Sequence, residues 1–151
     1  MKYYAVIDTN VLVSALLSGH SDAATVLLIE KMISGELIPL YNAEIITEYT
    51  DVLSRKKFGF DKAVVEQLVS SVCGFGLMVE AAQTGVILPD MDDLPFYEVV
   101  MEKRKTEDAY LVTGNTKHFP AANFIVTPGE MLRIMEAEDQ RPEENRSFRG
   151  R

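Results

Sequence analysis

Val6-Ile7-Asp8-Thr9-Asn10-Val11-Leu12-Val13 carries the reading that decides the fold: an apolar run meets a carboxylate and an amide, then resumes at helical spacing. Tyr3 to Ile7 reads as a buried strand, and Val11 to Leu17 as the helix that leaves it, ending at Gly19. In open α/β sheets, ligands and reacting groups collect beyond the carboxyl ends of the strands, so Asp8 stands where a parallel sheet displays an active-site acid. A second reading is open at this point. Asp8 or Thr9 can instead cap the helix, a side-chain oxygen accepting a bond from a free backbone N–H.

Outward from that stretch, strands and helices alternate. Ser21 is positioned to cap a second helix running to about Ile33, Gly35 ends it, and Leu37 to Tyr41 forms a second strand. Asn42 caps a third helix reaching about Ser54, and Arg55-Lys56-Lys57-Phe58-Gly59 reads as an exposed basic loop. A fourth helix spans roughly Asp61 to Cys73, with Val64, Val65, Leu68, Val69 and Val72 at helical spacing and Gly74 and Gly76 to stop it. Leu77 to Val79 and Val86 to Leu88 are short strand candidates around a turn. Beyond Pro89-Asp90-Met91-Asp92-Asp93, a helix runs from about Leu94 to Lys103 with Pro95 in its first turn. Ala109 to Val112 is a further strand, followed by the turn Thr113-Gly114-Asn115, and Phe124 to Val126 is the last. Thr127-Pro128-Gly129-Glu130 opens the final helix with capping-box spacing. This βαβ alternation predicts an α/β fold, a mostly parallel sheet covered on both faces.

The 151 residues suit one domain with its own core, and 47% hydrophobic content supports a globular class. We place the domain at residues 1–136, with 137–151 as a flexible charged tail. From Ala137 onward, four acids (Glu138, Asp139, Glu143, Glu144) balance four arginines (Arg141, Arg146, Arg149, Arg151), so the net charge of −8 belongs to the folded part. Such a surface argues against gripping nucleic acid by general attraction, yet it leaves room for a nuclease whose acids surround cations. The lone Cys73 lies in an apolar helical pattern, excludes an intrachain disulfide and reads as a structural thiol. No stretch approaches a membrane span and no cleavage site follows the first apolar run, which predicts a cytoplasmic protein.

Acidic and polar residues recur at three later points. At ~100° per residue, Ile45, Ile46, Tyr49, Val52 and Leu53 define the buried stripe of the third helix, with Glu48 at its border and Glu44 and Asp51 facing outward. Glu48 can reach a cleft, or it is a solvated flank. In the Asp90, Asp92, Asp93 cluster one acid suffices to cap the following helix; the surplus implies a cation or an exposed turn, and Asp93, nearest the helix, is the ligand candidate. Asn115 follows its strand as directly as Asp8 follows its own, so parallel strands deliver both to one sheet edge. An oxygen-only set without paired histidines or cysteines favours Mg²⁺ or Mn²⁺ over Zn²⁺. His118 stands alone in its loop and reads as a surface residue rather than a ligand; the alternative is that, with Lys117, it touches a phosphate.

Taken together, Val6-Ile7-Asp8-Thr9-Asn10, Glu44-Ile45-Ile46-Thr47-Glu48-Tyr49, Asp90 to Phe96 and Leu111 to Phe119 resemble the PIN-domain ribonucleases, particularly the VapC-like toxins of toxin–antitoxin pairs. The resemblance runs from about Tyr4 through Met135. It implies a three-layer α/β/α sandwich around a parallel sheet and an acidic pocket that cuts single-stranded RNA with Mg²⁺ or Mn²⁺. By motif it makes Asp8, Glu48 and Asp93 the catalytic, metal-holding acids, with Asn10 and Thr113 supporting the pocket. Asn115 takes the place of a frequent fourth aspartate and joins the catalytic set, its amide oxygen able to coordinate or position water but supplying no charge. A small antitoxin protein and self-association are the partners it implies.

Two rival functions bear on the same residues. A haloacid-dehalogenase-type phosphatase also sets an aspartate after its first strand, but requires a second one two positions later, where this chain has Asn10. A catalytically degenerate PIN module acting by partner binding would explain the amide at 115. Of the basic runs, Arg55-Lys56-Lys57 and Lys103-Arg104-Lys105 are each expected to be solvated faces rather than phosphate contacts.

Overall fold

The computed structural model describes residues 2–139. Five strands, β1 (Tyr3–Ile7), β2 (Leu37–Tyr41), β3 (Leu77–Met78), β4 (Tyr110–Val112) and β5 (Ile125–Val126), form a sheet in the order β3-β2-β1-β4-β5. Every pairing is parallel, with Ala5 opposite both Pro39 and Tyr110. Six α-helices complete the three-layer α/β/α sandwich: α1 (Thr9–Leu17), α2 (Ala24–Ile33), α3 (Ala43–Leu53), α4 (Lys62–Phe75), α5 (Leu94–Arg104) and α6 (Pro128–Asp139). The central strands are apolar on both faces because helices cover both, and Ala5, Val6, Ile7, Leu111 and Val112 are fully buried. Lying on β1, β2 and β4, α5 also touches α3, so the helix led in by Asp93 sits beside the one that carries Glu48.

Local signals explain most helix ends. Asn42 Oδ1 accepts from Ile45 N at 2.9 Å and opens α3; Asp61 does the same for α4 through Ala63 N at 3.0 Å. At α6 the capping box closes in both directions, Thr127 N to Glu130 Oε1 at 2.9 Å and Glu130 N to Thr127 Oγ1 at 3.2 Å.

Several expectations are corrected. Ser21 does not cap α2: it lies in a turn closed by Ala23 N on His20 O, and Ala23 takes the cap position with no side-chain bond. α1 begins at Thr9, two residues before the apolar periodicity announces it. α4 passes through Gly74 and ends at Gly76, where a Cβ would collide with the Pro39 and Val72 carbonyl oxygens. Glycine is what lets the chain leave α4 so close to β2. Cys73 is exposed rather than packed. Val86 to Leu88 is not a strand, because beyond Val79, whose N–H still meets Tyr41 O, the segment sends N–H groups to side chains. Ala82 N reaches Glu102 Oε1 at 3.0 Å, Thr84 N reaches Glu98 Oε2 at 2.6 Å, and Leu88 N meets Met91 Sδ at 3.4 Å. The result is a strap laid along α5.

The residues 137–139, placed with the tail by composition, continue α6 to Asp139, and the remainder of that segment lies outside the described residues. Among the described residues no helix is long and apolar enough to cross a membrane.

Candidate active site

Parallel strands β1 and β4 end side by side, so the residues that follow them share the C-terminal rim of the sheet. Asp8 N still pairs with Val112 O at 2.9 Å, which holds the carboxylate one step beyond β1 and beside Thr113. Asp8 is buried and occupies the cap position of α1, yet no side-chain capping bond forms. Its Oδ2 instead accepts from Thr113 Oγ1 at 2.8 Å and from Asn10 Nδ2 at 3.4 Å. Thr9 is also diverted from capping, its hydroxyl donating to Glu48 Oε2 at 2.5 Å. Both candidates turn their side chains to the rim, although the Thr9 and Asn10 backbone N–H groups at the start of α1 still favour the Asp8 charge.

Asn10 serves two neighbours. While its amide N faces Asp8, its Oδ1 accepts from Gly114 N at 3.2 Å, which links the start of α1 to the turn after β4. Asn115 N bonds Thr113 Oγ1 at 3.0 Å, and Asn115 Nδ2 meets His118 Nε2 at 2.9 Å. The other ring nitrogen, His118 Nδ1, faces Asp93 Oδ2 at 3.3 Å. Of the aspartate cluster it is Asp90 that caps, accepting from Asp92 N at 3.0 Å in a short 3-10 turn, while Asp93 precedes α5 with no capping bond. Asp93 is therefore left for the rim.

The rim's charge is poorly compensated. Burial pushes the Asp8 carboxyl above its usual range, against the pull of the Thr113 hydrogen bond. Glu48 is raised by burial and then by the charges of Asp8, Asp92 and Asp90, with the Thr9 bond opposing. Asp93 is pushed up to about 6 by burial and by Asp8 and Asp90, with His118 opposing. Asp8 thus acts on both other acids.

Among the described residues, no three His, Cys, Asp or Glu side chains stand close enough as placed to hold one metal ion. The donor chemistry nevertheless fits a hard cation. The set is oxygen-only, the carboxyls repel one another, and Asp93 Oδ2 is buried without completing a hydrogen bond, its histidine contact included. A buried carboxylate oxygen left in that condition is costly unless a cation or proton meets it.

Two residues escaped the sequence reading. Tyr49, fully buried and tilted against Phe96, donates its hydroxyl to the Ile7 carbonyl and so holds the end of β1 next to Asp8. As part of an apolar stripe it showed only as core. His118 is the other: its side chain is partly exposed, in keeping with a surface residue, but both ring nitrogens are turned to the rim. Exposed Lys117 beside it keeps the option of touching a phosphate.

The basic run at the end of α5 is distant from this chemistry. Lys103 lies 4.4 Å over the Tyr4 ring and Arg104 bonds the Ala109 carbonyl at 2.8 Å, both at the N-terminal rim. Beside Glu48, a groove of about 680 Å³ runs between α3 and the strap, with Glu44, Asp51, Asp92 and Glu98 on its walls and Leu94 and Phe96 among its apolar residues. Neither Asp8 nor Asp93 lines it.

Compared with known proteins, residues 4–117 match a family model described as a PIN domain. No curated protein and no solved structure matches the chain.

Proposed function

The chain belongs to the PIN-domain family, whose members are generally nucleases, and on that premise we propose that it is a metal-dependent endoribonuclease cutting single-stranded RNA, the toxin of a toxin–antitoxin pair. The observation that carries the metal dependence is Asp93 Oδ2, buried with no completed hydrogen bond beside the Asp8 charge. Asp8, Glu48 and Asp93 would hold Mg²⁺ or Mn²⁺. Such an ion, when bound, polarises a phosphoryl oxygen and makes water nucleophilic at neutral pH.

The protein's own part is placement. Thr113 and Asn10 fix Asp8 Oδ2 from two sides, Thr9 fixes Glu48, and Asn115 supplies a polar group without adding charge. Burial strengthens every electrostatic interaction at the rim. Exposed Lys117 at the edge offers a cation to the RNA backbone. A small antitoxin protein and a second copy of the chain belong to the same proposal, as partners in a cytoplasmic setting.

The test pairs calorimetric titration with Mn²⁺ against digestion of a single-stranded RNA. Uptake of the ion with cation-dependent cleavage is expected, and Asp8→Asn should stay folded and stop cleaving. A folded, fully active Asp8→Asn overturns the assignment. Neither uptake nor cleavage would favour a degenerate module acting through a partner, whereas hydrolysis of small phosphate esters with RNA left intact would favour the phosphatase.

A further inference from the structure

A series of polar contacts runs between Asp8 and Asp93, its last step an approach short of a completed hydrogen bond, and all of its intermediate members come from the segment after β4. Asp8 Oδ2 accepts from Thr113 Oγ1 at 2.8 Å, and that oxygen accepts from Asn115 N at 3.0 Å. Asn115 Nδ2 meets His118 Nε2 at 2.9 Å, and His118 Nδ1 faces Asp93 Oδ2 at 3.3 Å. A carboxylate oxygen can only accept, so a ring hydrogen on Nδ1 is the one that suits this approach, which stops short of a completed bond as placed. A neutral ring then presents Nε2 as an acceptor, and a donor is what the Asn115 amide supplies. Contacts on opposite sides of the ring demand the same tautomer.

We infer that His118 is a positioning residue for the cation site, tying Asp93 before α5 to the same β4 turn that fixes Asp8 after β1. The spacing of the two carboxylates is then set through Asn115 and His118 rather than by the packing of α5 alone. This also gives the amide at 115 a reason: an aspartate there could only accept, and would face the lone pair of Nε2. Orienting partners behind metal-holding groups commonly govern affinity. The inference rests on the metal-dependent reading above.

The experiment measures Mn²⁺ affinity by calorimetry for the wild type and for His118→Ala, His118→Gln and His118→Asn, with the cation-free unfolding temperature of each and ¹⁵N spectra of the His118 ring. His118→Ala and His118→Gln should bind Mn²⁺ about 10–100-fold more weakly. His118→Asn, whose Nδ2 can replace Nδ1 toward Asp93, should recover most of the affinity, in an order that does not follow unfolding temperature. The wild-type ring should show the Nδ1–H tautomer, and Asn115→Asp should shift it away. Equal or tighter Mn²⁺ binding in His118→Ala, an order that tracks unfolding temperature, or an Nε2–H ring in the wild type each overturns the positioning role alone. A wild type that takes up no Mn²⁺ overturns the metal-dependent reading and this inference together.

Discussion

The two rims of the sheet treat their charges in opposite ways. At the N-terminal rim Lys103 pairs with Glu107 at 2.8 Å and lies over Tyr4, Lys105 pairs with Glu102 at 3.0 Å, and Arg104 stacks on Phe124. Glu102 there is held below its usual range, first by the Ala82 backbone N–H and then by Lys105. At the C-terminal rim Asp8, Glu48 and Asp93 are all held above theirs, by burial first and, for the latter two, by the charges of Asp8 and Asp90. Charges that find partners within the fold contribute to structure. Charges buried without them cost stability and persist where a ligand or a reaction supplies what is missing.

The sharpest way to break this contrast is to neutralise one acid at the functional rim. Asp8→Asn keeps an oxygen for Thr113, so the fold should survive while RNA cleavage falls about a thousandfold, a loss on the scale of removing one group that stabilises a transition state. Cleavage rates with a circular dichroism spectrum decide it. A smaller effect follows from filling the rim: Mn²⁺ at a hundred times its dissociation constant should stabilise the wild type by about 2.7 kcal/mol, roughly 5–10 °C in Tm. Asp8→Asn should lose that shift, and an equal shift in both proteins would place the ion elsewhere.

Acid titration sharpens the comparison at a lower amplitude. Because Asp93 is held at about 6 against an ordinary 3.8, the folded protein keeps its proton more tightly than the unfolded chain. That contribution is fully present below about pH 4 and is lost as pH rises toward 6. In chelator, the stability of Asp93→Asn relative to wild type should therefore grow between pH 4 and 6 and level off above, by about 1 kcal/mol once solvent screening is allowed for. Urea unfolding across that range measures it, and a gap that narrows with rising pH would contradict the sign. The smallest effect belongs to the other rim. Lys105→Ala removes an exposed pair and should change stability by about 0.5 kcal/mol or less, leaving the salt dependence of RNA binding unaltered.

The main strands and the α/β class were legible because a parallel sheet buried on both faces writes its strands as apolar runs, and Tyr3 to Ile7 and Ala109 to Val112 are such runs. Helix starts with a polar cap, at Asn42 and Thr127, could be read directly. Ser21 misled because a capping residue type marks a helix start only when the backbone places it there. Val86 to Leu88 misled because β-branched apolar residues also suit an extended strap whose donors are met by side chains. At the rim, Asp8 and Glu48 could be singled out from a strand end and a helical stripe. His118 could not: its meaning depends on Asn115 on one side and Asp93 on the other, residues joined to it only by the folded backbone. Tyr49 was hidden for a similar reason, its ring counted with the core while its hydroxyl served Ile7.

The strap over α5 has a consequence for how this surface can change through descent. Its extended backbone is fastened at Ala82 and Thr84 by Glu102 and Glu98, two carboxylates one helical turn apart, rather than by a neighbouring strand. Fastening through main-chain N–H groups asks little of the strap's outward side chains, although Thr84 adds a hydroxyl bond to Glu98 and Val79 and Leu88 are buried in the core. The wall of the groove beside Glu48 is thus open to exchange at its exposed positions, Gln83 and Ile87, while the sheet and its acidic rim stay as they are.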